Sequence, residues 1–332
     1  MNDGTGDDSD VVWSRLTRTE MACFVSRAPG ARNLVHYTNF GALRGILENE
    51  EFWFSSASTM NDFDEIIAGK DLLELFSSQG GALHGLMQAI AKRDQKLWSL
   101  SNDLYRQRRL SDFFHTYLTC WSECDFEAGT HDNLTMWRGY AGDGNGVGIV
   151  IDGAALGLDQ AFQSEIVACP VFYETSEQFA LRAEEAFTDF LSGLEELGDL
   201  VHRCSDHVVE AFAELCFYLA VTHKHPGFSA EKEWRFAWRK HRADVESGLS
   251  QCLRPVFVNG DVIEKFCFPI KANAHVSPSQ LDIRSIIRAI MIGPCDNAFL
   301  KSNAVVSMLA AKGFQNPDSM VSISPIPYRS PR

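Results

Sequence analysis

The first clear hydrophobic pattern is "LVHY" at residues 34–37, a short apolar run that ends on His36 and Tyr37. A helical repeat follows at once. Leu43, Ile46 and Leu47 share one face, and Thr38 or Asn39 stands where a cap is needed. "EFWFSS" (51–56) alternates as a strand, with Phe52 and Phe54 on one side and Trp53 and Ser55 on the other. A polar turn, "TMNDFDE", precedes helical patterns over 63–77 and 82–110. "TYLTCWS" (116–122) alternates like a half-buried strand, and "DGNGVGIVID" (143–152) is a glycine-rich turn running into a strand. Further strands are predicted at 165–173, 233–239, 253–258, 264–270, 286–293 and 319–326, and helices at 177–193, 199–222 and 297–312. Strands and helices mix without regular alternation, which predicts an α+β fold and not a doubly wound sheet.

The 332 residues, 45% of them hydrophobic, suffice for a sizeable core. With no long linker and no internal repeat, the expectation is one elaborated domain over 31–332, carrying helical insertions near 63–110 and 177–222. Residues 1–30 read as an acidic, partly disordered N-terminal segment whose opening "MNDGTGDDSD" is a frayed tail. The net charge of −14 argues against a broad footprint on nucleic acid. No basic stretch followed by an apolar one marks a secretory signal, and "AFAELCFYLAV" is interrupted by Glu214 and too short to span a bilayer. A cytoplasmic protein without membrane contact is expected. Nine scattered cysteines, odd in number and without a C-x-x-C pair, suit reduced thiols. Cys120 and Cys124, near Glu123 and His131, fall short of a four-ligand zinc spacing, so no metal is expected.

Candidate chemistry lies at strand ends. Glycines 142, 144, 146 and 148 miss the G-x-G-x-x-G spacing and read as a turn. Three polar clusters remain: His36-Tyr37-Thr38, Ser55-Ser56 with Asn61-Asp62, and Glu231-Lys232-Glu233 in "FSAEKEWRFAW". A fourth segment, "DNLTMWRGYA", offers Trp137, Arg138 and Tyr140. Each has an ordinary reading. A strand-end histidine is commonly a structural hydrogen-bonder, and "STMND" can bond its own backbone. "EKEWR" fits a strand with Glu231, Glu233 and Arg235 on a solvent face.

Taken together, "HYTNFGALRGILENEEFWFSSASTMNDFDE", "LTCWSECDFEAGTHDNLTMWRGYAGDGNGVGIVID", "EKEWRFAW", "IRAIMIGP" and "SISPIPY" resemble the DUF2971 family in order and spacing, over about residues 34–328. A more distant resemblance is to ADP-ribosyltransferases. Those begin with a strand bearing His or Arg, continue with an aromatic or Ser-x-Ser strand, and carry the catalytic Glu, often as Glu-x-Glu, on a late strand. "VHYT", "FWFSSAS" and "EKEW" look like these three elements. His36 matches the His-Tyr-Glu branch, whereas Ser55 and Ser56 match the Arg-Ser-Glu branch without a clean Ser-Thr-Ser.

The resemblance implies an ADP-ribosyltransferase-like mixed sheet core and NAD as substrate. Glu233, His36 and Glu231 would then be catalytic. His36, Tyr37, Thr38, Ser55, Ser56, Asn61, Trp137, Arg138 and Tyr140 would bind the dinucleotide. ADP-ribose would pass to an unknown acceptor (protein, nucleic acid or small molecule) or to water, and the role stays open between a toxin, a phage-defence effector and a housekeeping enzyme. Two other readings stand beside it. One is a non-enzymatic module of the same fold that senses a nucleotide or binds a protein. The other is a nuclease using Asp62, Asp64 and Glu65 on a metal, which the net charge and the missing acid-x-Lys core disfavour.

Overall fold

A computed structural model describes residues 5–16, 33–60, 63–105, 115–125, 129, 131–157, 166–240, 251–258, 261–271 and 281–328. Its strands are β1 (Asn33–Thr38), β2 (Glu51–Ser56), β3 (Thr116–Cys124), β4 (Val147–Asp152), β5 (Val167–Pro170), β6 (Phe172–Tyr173), β7 (His223–Lys224), β8 (Glu233–Arg239), β9 (Leu253–Val258), β10 (Asp261–Pro269), β11 (Ile287–Ile292) and β12 (Val321–Ile323). The main helices are α1 (Thr5–Leu16), α2 (Phe40–Asn49), α3 (Phe63–Ser77), α4 (His84–Ala91), α5 (Gln95–Tyr105), α6 (Leu134–Tyr140), α7 (Ser176–Leu197), α8 (Ser205–Val221) and α9 (Ala298–Ala311). The α+β class expected from the pattern is the one formed. The chain packs as two compact units, one within 1–27, 58–114 and 171–229, the other within 28–57, 115–170 and 230–332.

The first unit gathers the helical insertions. α7 buries Phe179, Ala183, Phe187, Phe190 and Leu194 at helical spacing, and a capping box of Thr175 and Gln178 starts it. The single helix expected over 82–110 is two, because the Asp94 side chain accepts the Lys96 N–H and starts a new helix. The helix expected over 199–222 is likewise interrupted, at Cys204. Within the segment expected to fray, the described residues Thr5–Leu16 form a helix. α1 sets its acids near its N-terminus, buries Val12 and Leu16, and pairs Arg15 with Glu196.

A buried ionic cluster lies in the same unit. Arg182 donates to both oxygens of Glu174, His223 Nδ1 lies 3.2 Å from that carboxylate, and the guanidinium packs over Phe172 and Phe179. Burial pushes the Glu174 carboxyl up, but the bonds from His223 and Arg182 outweigh it and hold it below its ordinary value of 4.5. A depressed carboxylate stabilises the fold fully above its unfolded pKa and loses that contribution as pH falls through the lower, folded one. Thermal melts should therefore drop as pH falls below about 4.5. In Glu174→Gln that part of the decline should be missing, and an unchanged acid profile would sink the assignment.

The second unit holds a 10-stranded sheet in the order β12-β11-β4-β1-β3-β2-β10-β9, with β8 on β3 and β5 on β8. Ser122 pairs with both Val35 and Glu233, while Tyr117 and Leu118 pair with both β2 and β8. β1 and β2 thus share one edge of β3 and diverge beside residues 119–121, opposite the edge taken by β8. Directly paired residues face the same side, and neighbours along a strand alternate. Leu34, Trp121, Trp234 and Ile149 fill a core on one face. Val35, Tyr37, Val150 and Trp137 fill a smaller one on the other. The Asn39 side chain, rather than that of Thr38, caps α2 by accepting the Ala42 N–H.

Candidate functional site

The "EKE" motif does not lie on one strand. A 3-10 helix over Pro226–Glu231 ends at Glu231, and β8 begins at Glu233. Between them Lys232 adopts a left-handed backbone, φ 46°, and its carbonyl accepts the Glu123 N–H at 2.8 Å. The left-handed residue breaks the two-residue alternation, so the two carboxylates part company.

Glu233 turns into the protein. It is 5% exposed and accepts from Arg235 Nε at 2.7 Å, and Arg235 is wholly buried. The solvent-facing strand expected for Glu231, Glu233 and Arg235 is a buried ion pair. Glu231 instead lines a polar cavity of about 280 Å³ with Tyr37, Ser122, Glu123, Asn133 and Lys232. Tyr140 Oη donates to Glu231 Oε1 at 2.9 Å.

The cavity wall is built mainly by the stretch around the start of α6. Asn133 caps the helix by accepting the Thr135 N–H at 2.9 Å, and its amide donates to the Ala230 carbonyl at 3.1 Å. Tyr37 Oη donates to the His131 carbonyl and accepts the Asn133 N–H at 3.3 Å. Burial is the main cause that raises the Tyr37 pKa, so the phenol stays protonated. Trp137 sets its edge against the Tyr37 ring, centroids 4.9 Å apart, and donates to Asp132 Oδ1 at 2.6 Å. It is fully buried and supports Tyr37 from behind.

Ser122 was not among the residues the sequence singled out. Its Oγ is buried, has no hydrogen-bond partner among the described residues, and borders the cavity. An unsatisfied buried hydroxyl costs roughly 1–3 kcal/mol. Ser122→Ala should therefore leave stability unchanged or raise it by up to about 1 kcal/mol, while weakening whatever the cavity binds. Urea unfolding beside a binding titration checks both halves. A clear loss of stability would show that the hydroxyl is satisfied.

The other expected site residues lie elsewhere. His36 points to the face opposite Tyr37 and Glu233, packs tilted against Trp121 with centroids 4.9 Å apart, and bonds the Cys120 carbonyl through Nδ1 at 2.9 Å. Because a carbonyl only accepts, Nδ1 carries the proton. Burial lowers the His36 pKa; the Cys120 bond opposes this and the charge of Lys265 adds to it. The ring is therefore neutral, a structural filler of the gap where β1 leaves β3. Thr38 shares the His36 face. Ser55 accepts from Lys265 Nζ at 2.9 Å, and Ser56 pairs with Tyr117. Arg138, expected to meet pyrophosphate, is exposed and lies 5.9 Å from the Tyr328 ring centroid. Asn61 and Asp62 fall outside the described residues, as do the side chains of Asp64 and Glu65.

Thus Tyr37, Tyr140 and Glu231 come together, with Trp137 behind them. His36, Thr38, Ser55, Ser56, Arg138 and Glu233 do not join them. Among the described residues no group of three or more His, Cys, Asp or Glu could hold a metal ion, and no helix is long and apolar enough to cross a membrane. No curated protein and no solved structure matches the chain. Residues 136–236, which carry Tyr140, Glu231 and Glu233, match the family DUF2971, "Protein of unknown function".

Proposed function

We propose that this cavity receives the nicotinamide-ribose end of NAD and that Glu231 stabilises the cation formed when the glycosidic bond breaks. ADP-ribose then passes to an acceptor or to water, within an ADP-ribosyltransferase-like fold. The observation that carries the reading is Glu231 itself, a carboxylate on a polar cavity, oriented by the Tyr140 hydroxyl. At about 280 Å³ the cavity lies near the lower end of ligand pockets, which suits one ring and its sugar and leaves the rest of the dinucleotide outside. Its wall carries Glu123, Asp132 and Glu231 against Lys232, which favours the cationic pyridinium over the pyrophosphate.

As the bond from C1′ to the pyridinium nitrogen lengthens, the ring becomes neutral and positive charge grows on the sugar, as in other glycosidic cleavages. A carboxylate already in place stabilises that state more than the ground state. Tyr140 holds the carboxylate, the Tyr37 phenol can accept from a bound hydroxyl or amide, and Ser122 offers an uncommitted hydroxyl.

A second reading is favoured by one observation: His36, Ser55 and Glu233 do not gather at the cavity with Glu231. A module that binds a nucleotide or a partner without cleaving needs no such gathering. Incubation with NAD and detection of free nicotinamide separates the two. Release supports the enzyme, and binding without release supports the module.

A further inference from the structure

Outside that cavity, β2 and β10 bring a hydroxyl and an amine into contact. Ser55 and Lys265 are direct partners in the antiparallel ladder, so both side chains leave the same face of the sheet. Lys265 Nζ lies 2.9 Å from Ser55 Oγ, and both residues are half-buried. Among the described residues Lys265 has this hydroxyl as its polar partner and no carboxylate within ion-pair distance. A lysine removed from water normally takes a carboxylate partner or gives up its proton.

The described neighbours offer the ammonium no carboxylate to offset its burial. Arg254, opposite Lys265 on β9, is already paired with Glu51 of β2. Cys267, two residues along β10, has its thiol pushed up to about 11, mainly by burial. His36 on β1 can supply no negative charge. Burial lowers the Lys265 pKa, opposed by Cys267. As an ammonium, Nζ donates to Oγ; once the proton leaves, the bond reverses and the Ser55 O–H points at the nitrogen lone pair.

We propose that Ser55 and Lys265 are a nucleophile–base pair that accepts acyl groups from small activated esters or thioesters. The separation falls within the 2.6–3.2 Å expected of a nucleophile and its base. The unprotonated fraction of Lys265 takes the Ser55 proton as Oγ bonds to the acyl carbon and the carbonyl electron pair moves to oxygen. The carbonyl re-forms, the bond to the leaving group breaks, and that group takes the proton from Nζ. Water then attacks the acyl-serine and passes a proton to Lys265; the carbonyl re-forms, the bond to Oγ breaks, and Nζ returns the proton to Oγ, which releases the acid and restores the free hydroxyl. None of the residues assigned to the cavity takes part.

The test uses the full chain and p-nitrophenyl acetate. A burst near one p-nitrophenol per chain is expected, with the acetyl group mapped to Ser55 by peptide mass spectrometry. Ser55→Ala should abolish the burst. Lys265→Arg keeps the cation and the hydrogen bond but cannot lose its proton, so the burst should slow by about 100-fold or more. Thermal melts establish that each variant is folded. If a variant is not, mapping on the wild-type chain decides: acetyl on Ser55 supports the pair, and acetyl on Lys265 or on neither residue overturns it. Equal burst rates in wild type and folded Lys265→Arg would overturn it as well. These outcomes are independent of NAD, so they leave the reading of the cavity untouched.

Discussion

Glu233→Gln is expected to destabilise the fold severely, by about 3–5 kcal/mol, although the replacement keeps the size of the side chain. Glu233 is 5% exposed and takes a hydrogen bond from the fully buried Arg235 at 2.7 Å. Glutamine can still accept one such bond, but it removes the negative charge from beside a guanidinium that cannot lose its proton. An exposed strand carboxylate, as the sequence pattern suggested, would have cost no more than about 0.5 kcal/mol. The two values differ enough for urea unfolding to decide. A midpoint equal to that of the wild type would show that the pair contributes nothing.

Glu231→Gln is the second large effect and falls on a different property. The side chain borders the cavity and its partner there, Tyr140 Oη, can donate equally well to an amide oxygen. The fold should therefore survive with stability within about 1 kcal/mol of wild type, and NAD binding should largely persist. Turnover should fall on the order of 10²–10³, the usual consequence of removing one preorganised group from a developing charge. Steady-state nicotinamide release at saturating NAD measures it. A Glu231→Gln variant that releases nicotinamide as fast as wild type would mean that another group faces the cation.

Much of the sheet was readable from periodicity. β1, β2, β3 and β8 fall where alternation of apolar and polar residues placed them, because burial against a core selects one face of each strand. α2 was legible from its spaced Leu43, Ile46 and Leu47. The breaks were harder to see. The earlier helix ends at Ala91 and Asp94 starts another through a single side-chain bond, which a smooth helical pattern hides.

The site was legible only in part. That Tyr37, Tyr140 and Glu231 belong together could be suspected from their clusters, yet nothing local shows that Tyr140 reaches Glu231 across 91 residues. The different settings of Glu231 and Glu233 rest on one backbone angle at Lys232, a lysine in a conformation that more commonly calls for glycine. No pattern of residue types encodes it. His36 lies away from the cavity for a related reason. "HYT" set His36 and Tyr37 side by side, but neighbours on a strand face opposite sides, and only the register with β3 tells which side holds the cavity. Ser122 looked like an ordinary polar position of a half-buried strand. Its signature, a hydroxyl without a partner, exists only once the strands are assembled.

The central claim is that NAD binds at the cavity between β1, the start of α6 and the turn before β8. Hydrogen exchange of Glu231→Gln, with and without saturating NAD, tests it directly, since that variant should bind without consuming the ligand. Slower exchange is expected at backbone amides of residues 131–137 and 230–234, with little change along β2 and β10. Protection confined to residues around His36 and Ser55, or none at the cavity segments under saturation, would contradict it.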